Sequence, residues 1–172
     1  MPRKIDRIYR NIHENVDSDV YETLRENCGE TDILAIMSEL ERTCEEEMIA
    51  RIMKSCGRQC IPKSYISRAK SIFEKSGDIE DFLANLNEAR IGGGRLHLRD
   101  GKIIGIYDQC YCGLVKKLKG LSPLYCYCSA GWYEQLFSSV FQKPVEVEKL
   151  ATIPDGADHC EFEISYSHRI SD

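Results

Sequence analysis

The chain has 172 residues, 42% hydrophobic and 30% charged, with a formal net charge of -5, the profile of one ordinary soluble domain. An acidic chain without a long lysine or arginine run is a poor candidate for sequence-independent nucleic-acid binding, and the short basic cluster Lys116-Lys117-Leu118-Lys119 reads equally well as a solvated loop. Apolar runs of only a few residues and a charged opening, MPRKIDRIYR, speak against a membrane span and a signal peptide, so the expected compartment is the cytoplasm.

Ile5 to His13 and Asp19 to Arg25 read as two short helices joined by a polar Glu-Asn-Val-Asp-Ser bend. From Thr31 onward, Ile33, Met37, Leu40, Cys44, Met48 and Ile52 recur at three- or four-residue spacing, while Glu39, Glu41, Glu45, Glu46 and Arg51 fall elsewhere on the wheel. This pattern predicts one long amphipathic helix capped by Thr31 and stopped by Gly57. Pro62 opens the next helix, whose face is Tyr65, Ile66, Ala69, Ile72 and Phe73, and Ile79 to Arg90 forms another with Ile79, Phe82, Leu83 and Leu86 inward.

At Gly92-Gly93-Gly94 the period changes: Leu96 and Leu98 alternate with His97 and Arg99, Asp100-Gly101 supplies a turn, and Lys102 to Tyr107 completes a hairpin. The glycine run is not a phosphate loop, because it lacks a Lys-Ser/Thr and precedes a strand. Tyr133, Leu136, Phe137, Val140 and Phe141 mark a helix starting near Ser129. Val145 to Leu150 is a strand, Pro154-Asp155-Gly156 a turn, and Cys160, Phe162, Ile164 and Tyr166 one face of a last strand. The expected architecture is a single α+β domain, with a helical half over 1–91 packed with a small antiparallel sheet crossed by a helix in a cysteine-rich half over 92–172.

Nine cysteines need explaining, five of them between residues 110 and 160. In a reducing compartment such a chain more often holds a metal or performs thiol chemistry than forms disulfides, and an odd count defeats complete pairing. Cys110-Tyr111-Cys112 and Cys126-Tyr127-Cys128 are two C-x-C pairs separated by thirteen residues. Four thiolates at about 2.3 Å complete a tetrahedral structural zinc site, and an iron-sulfur cluster is the other group that four such cysteines take. One residue between ligands strains the chelate ring, so a set that borrows Cys160 is as good. The candidate metal ligands are therefore Cys110, Cys112, Cys126, Cys128 and Cys160.

The predicted helix start also lowers the expected pKa of Cys126 and Cys128, which makes either the nucleophile of a thiol enzyme, a cysteine hydrolase or a redox protein, in a competing reading. The blander alternative is that both are small packed hydrophobes. Cys28 and Cys44 go to packing. Cys56-Gly57-Arg58-Gln59-Cys60 is either a helix C-cap with two incidental thiols or a second ligand group. Of the histidines, His13 is a surface residue, His97 faces the less apolar side of the hairpin, His168 lies near the tail, and His159 alone adjoins the candidate site. No G-x-S-x-G or H-E-x-x-H occurs, so a binding protein is favoured over an enzyme.

Tyr125-Cys-Tyr-Cys-Ser-Ala-Gly-Trp-Tyr-Glu-Gln-Leu-Phe, Phe141-Gln-Lys-Pro-Val-Glu-Val-Glu and Gly156-Ala-Asp-His-Cys-Glu-Phe-Glu-Ile resemble, in order and spacing, the C-terminal half of the 4-vinyl reductase domain family. The resemblance covers roughly Ile103 to Ile164. It implies a small-molecule-binding α+β domain, some members being fused to aromatic-sensing transcription activators, with a fold shared by vesicle-tethering subunits and haem-nitric-oxide-binding domains. It further implies a pocket for a small apolar or aromatic ligand between helices and sheet, with Phe82, Leu86, Trp132, Leu136 and Phe137 as its apolar contributors. Aromatic-sensing members hold zinc through a cysteine before the helix, a Glu and a Cys late in the next strand, and a cysteine opening the last strand. Cys126 and Cys160 match the first and last, whereas Lys149 and Thr152 stand at the other two positions and Glu148 is a weaker substitute. The leading expectation is a stand-alone sensor domain with a cysteine-ligated zinc. A protein-assembly module is a third reading, and a homodimer is compatible with all of them.

Overall fold

The computed structural model describes residues 4–29, 32–114, 116 and 118–166. Helical spacing in the first half is realised as α1 Lys4–His13, α2 Ser18–Cys28, α3 Ile33–Thr43, α4 Glu46–Arg58, α5 Lys63–Phe73 and α6 Ile79–Glu88. The second half contains β1 Leu96–Arg99, β2 Lys102–Tyr107, a 3-10 turn Pro123–Cys126, α7 Tyr127–Phe141, β3 Val145–Ala151, a second 3-10 turn Ile153–Asp155 and β4 Cys160–Tyr166. The architecture is α+β. No helix among the described residues is long and apolar enough to cross a membrane.

Four boundaries differ from expectation. The long helix predicted from Thr31 is two helices, because Cys44 (φ -129°, ψ 149°) and Glu45 (φ -70°, ψ 153°) are extended. The Thr43 hydroxyl donates back to the Glu39 carbonyl at 2.7 Å as α3 ends, and both helices keep their apolar stripes on one core, so spacing alone does not register the break. The cap of α3 is Asp32, which accepts from the amides of Leu34 and Ala35 at 3.0 and 3.1 Å; Thr31 lies outside the described residues, as do Lys117 and His168. α4 runs straight through Gly57, and α7 begins at Tyr127, two residues before Ser129, which makes Cys126 its N-cap residue and puts Cys128 in its first turn.

The sheet has the order β1-β2-β4-β3, every pairing antiparallel. Asp100 and Gly101 both take left-handed backbone (φ 52° and 75°), the two-residue turn whose twist suits adjacent antiparallel strands. On β4, Cys160, Phe162 and Ile164 point inward, as the two-residue period requires. Against that face lies α7 with Tyr133, Leu136, Phe137 and Val140, backed by Phe82 and Leu86 of α6. A second core is built from α1 to α4, with Ile12, Leu24, Ile36, Leu40 and Ile52 fully enclosed. Full burial of a Leu, Ile or Phe side chain contributes about 1.5–3 kcal/mol, so each cluster is a substantial source of stability.

The two cores meet where α4 crosses α7. A methyl group on Gly57 would overlap the carbonyl of Cys128 and lie 2.9 Å from the amide nitrogen of Trp132, and one on Gly131 would overlap the carbonyl of Lys54. The helices touch backbone to backbone at these two points. Glu134 on α7 then accepts from Lys54 at 2.6 Å and Arg58 at 2.7 Å, fixing the sliding position of one helix on the other. Gly57→Ala and Gly131→Ala are each expected to cost about 3 kcal/mol, since the obstacle is backbone and cannot rotate away. Gly77→Ala, at a position with open space around it, should stay within about 0.5 kcal/mol of wild type; urea unfolding of the three variants checks the contrast.

Candidate thiol-lined cleft

The break in helical packing beyond the α4–α7 crossing leaves a cleft of about 1130 Å³. Its walls come from the end of α4, the start of α7, the glycine run before β1, the loop after β2 and the mouth of β4. All five predicted metal ligands, Cys110, Cys112, Cys126, Cys128 and Cys160, border this space, and Cys60 joins them. Of the five apolar residues expected to line a pocket, only Trp132 does so. Phe82, Leu86, Leu136 and Phe137 are completely buried in the core between α6, α7 and the sheet, because the inward face of α7 is already filled by the strands.

The cysteines do not behave alike. Cys112 receives the Lys4 ammonium at 3.2 Å and shares a hydrogen bond with the Tyr125 hydroxyl at 3.4 Å. Burial pushes its thiol up, but the Tyr125 bond, the Lys4 charge and the Leu114 amide together outweigh burial and leave Cys112 below the ordinary thiol value. Lys4 responds reciprocally: burial opposes its charge, yet attraction to Cys112 raises its pKa.

Cys126 and Cys160, thirty-four positions apart in sequence, form a second centre in which the Cys126 thiol donates to the Cys160 sulfur. That bond first, with further help from the Ile153 amide at 3.3 Å and the nearby His159, brings Cys160 down to about 7 against its burial. Cys126 moves the other way, because it keeps the shared proton and is buried. Burial likewise pushes Cys128 well up and Cys110 up. The expectation that the helix start would activate Cys126 and Cys128 is therefore reversed. Desolvation and neighbouring sulfurs exceed the partial charge of the helix terminus, whose effect is only about 0.3–1 kcal/mol.

Among the described residues no group of three or more His, Cys, Asp or Glu side chains is arranged to hold a metal ion. Cys112 is instead engaged by Lys4 and Tyr125, and Cys160 accepts from the Ile153 amide. Two positions flagged by the family resemblance are also occupied otherwise: Lys149 sits over the Tyr127 ring at 4.7 Å, and the buried Thr152 donates to Asp155 at 2.8 Å. Glu148 is exposed. Cys28 packs in the second core as expected, and Cys44, at the end of α3, is half-buried against the same core. Cys56 faces the Arg7 carbonyl, and burial pushes its thiol up to about 12.

Lys4, Tyr125 and Cys60 are the contributors that sequence reading missed. Lys4 carries no local signal, being one cation in a charged helix whose contact lies more than a hundred residues away. Tyr125 belongs to the Tyr-Cys-Tyr-Cys run but has no feature that distinguishes it from packing. Cys60 was visible in its pair with Cys56 but unassigned, since its position depends on α4 continuing through Gly57.

Fold and site together define an α+β domain with a thiol-walled cavity between two cores. The profile of one protein family, a family of unknown function (DUF6144), matches residues 3–171, and the chain belongs to that family. None of the curated proteins matches the sequence. Among solved structures, an H-NOX protein from S. oneidensis in the Fe(II)NO ligation state is similar at 13% identity, over 96% of this chain and 98% of that chain, with a TM-score of 0.48.

The Cys126–Cys160 bond gives a directional expectation. In Cys126→Ala the Cys160 thiolate loses its main donor, so its titration should move upward from about 7. Ultraviolet thiolate absorbance followed against pH measures this, and an unmoved midpoint would mean that the Ile153 amide and His159 suffice.

Proposed function

We propose that the chain is a small-molecule-binding sensor domain of the 4-vinyl-reductase type, with the thiol-walled cleft as its ligand site. The observation that carries this reading is the cleft itself. At about 1130 Å³ it matches or exceeds typical small-molecule sites of about 300–1,000 Å³, and it lies between elements from both cores. Aromatic rings from Tyr107, Tyr111 and Trp132 border it, while Arg90, Lys116 and Lys119 bring positive charge to its edge. The one acidic residue on its described lining, Asp108, is engaged by Arg95. Such a lining suits a flat apolar or aromatic molecule carrying an anionic group. The reading takes the protein to be cytoplasmic, where free thiols such as these nine persist.

Trp132 is the sole tryptophan of the chain and stands in the cleft, so it reports on occupancy directly. Titration with 8-anilinonaphthalene-1-sulfonate, an aromatic anion, should quench Trp132 saturably with one site per chain. Ser129→Phe, which pushes a ring into the cleft from α7, should weaken that binding roughly tenfold or more, a loss of about 1.4 kcal/mol. Dye binding that does not saturate, or that Ser129→Phe leaves unchanged, would sink the assignment of the cleft.

A further inference from the structure

We propose that Cys112 is a nucleophile that captures α,β-unsaturated carbonyl compounds entering the cleft, with Lys4 and Tyr125 as its proton donors. The proposal deepens the sensor reading and takes its ligand site from it. Its basis is geometric: a sulfur on the cleft wall, an ammonium at 3.2 Å from it and a phenolic hydroxyl at 3.4 Å. Three elements distant in sequence supply these groups, namely α1, the loop after β2 and the 3-10 turn before α7.

The kind of chemistry follows from what surrounds the sulfur. Acyl transfer by a thiolate needs a base to activate water or accept a proton. The described lining contains no histidine, and the carboxylate of Asp108 is occupied by Arg95. Both polar groups that touch Cys112 instead carry protons to give. Conjugate addition requires that arrangement. The sulfur lone pair forms an S–C bond at the carbon β to the carbonyl, and the C=C π pair shifts to give an enolate. The Lys4 ammonium or the Tyr125 hydroxyl then supplies the α-carbon proton and is reprotonated from solvent. The sum is one thiolate, one enone and one proton giving one thioether, with no oxidant or reductant. The same donors stabilise the enolate oxygen as its charge develops.

The groups that face Cys112 are Lys4 from α1, Tyr125 from the 3-10 turn, Cys128 from α7, and Cys110 and the Leu114 amide from its own loop. Of these, Lys4 is the cation, and its ammonium at 3.2 Å stands beside the sulfur where it can meet the charge that develops on addition.

The probe is 3-benzoylacrylic acid, an aromatic enone with a carboxylate, and 3-benzoylpropionic acid is its saturated, unreactive twin. Intact-mass analysis of the wild-type protein should show one adduct, peptide mapping should place it on Cys112, and its rate near neutral pH should exceed that of N-acetylcysteine by roughly tenfold. In Lys4→Met the rate of addition should fall toward that of the free thiol and in Lys4→Arg return toward wild type, with Tyr125→Phe slower too. An adduct on another cysteine, a rate equal to that of the free thiol, or a rate unmoved in Lys4→Met overturns the proposal. Binding of the saturated twin, read by Trp132 quenching, keeps the two readings apart. Binding without an adduct sinks the nucleophile and leaves the sensor site standing. Selective addition to Cys112 without saturable binding of either twin or dye sinks the sensor site and leaves the nucleophile.

Discussion

Backbone meets backbone where α4 crosses α7, and the location of every cleft residue depends on that contact. Gly57 and Gly131 remove the two side chains that would hold the helices apart, and the Lys54 and Arg58 bonds to Glu134 fix the offset. Close approach at Gly57 sets the first turn of α7 directly against the last turn of α4. Cys128 and Trp132 on α7 and Cys60 just past α4 thereby reach one space. A bulkier residue at either glycine would separate the two cores and with them the walls of the cavity, so the crossing governs stability and site geometry together.

The charge states of the thiols follow from the same packing. Drawing six cysteines to one cleft places mutually repelling potential thiolates in a partly desolvated region, and burial raises the pKa of Cys110 and Cys128. Cys112 and Cys160 escape that rise. Cys112 does so because α1 delivers an ammonium and the 3-10 turn a hydroxyl; Cys160 does so because Cys126 keeps its proton and donates it. The distinction is one of available donors, not of the cysteines themselves. It explains why a helix terminus, a weak and short-ranged influence, did not select the reactive sulfur.

Local periodicity made the elements legible, since α5, α6, the hairpin and β4 each announce themselves by spacing, a turn or a cap. The sequence also indicated that Cys126 and Cys160 are close, through a resemblance that assigns them to one site. Packing between distant elements was not legible. Gly57 reads locally as a helix stop, yet the energy that keeps it in α4 comes from α7, some seventy residues on. Phe82, Leu86, Leu136 and Phe137 show equally why apolarity does not distinguish a pocket wall from a core: both are written with the same residues, and only the distance between layers separates them. The Lys4–Cys112 contact left no local trace because Lys4 is an ordinary cation in a charged helix, and the C-x-C pair that marks Cys112 says nothing of a partner 108 residues away.

Because the walls are drawn from both cores, occupancy and stability are linked. Trp132, Tyr107 and Cys160 belong to the cluster on the sheet, and Tyr125, Leu121 and Cys112 to the cluster of α1 to α4. A molecule that touches both sets of residues adds contacts across the junction between the two cores. Binding restricted to the folded chain stabilises it by about 2.7 kcal/mol at a hundredfold excess over Kd, and here that increment falls on the interface between the cores. Capture at Cys112 would couple further, since the thioether ties the loop after β2 to a molecule that also meets Lys4 of α1 and Tyr125 of the 3-10 turn. Reversible binding and covalent capture thus act on the same junction, the second by fixing one of its walls to the ligand.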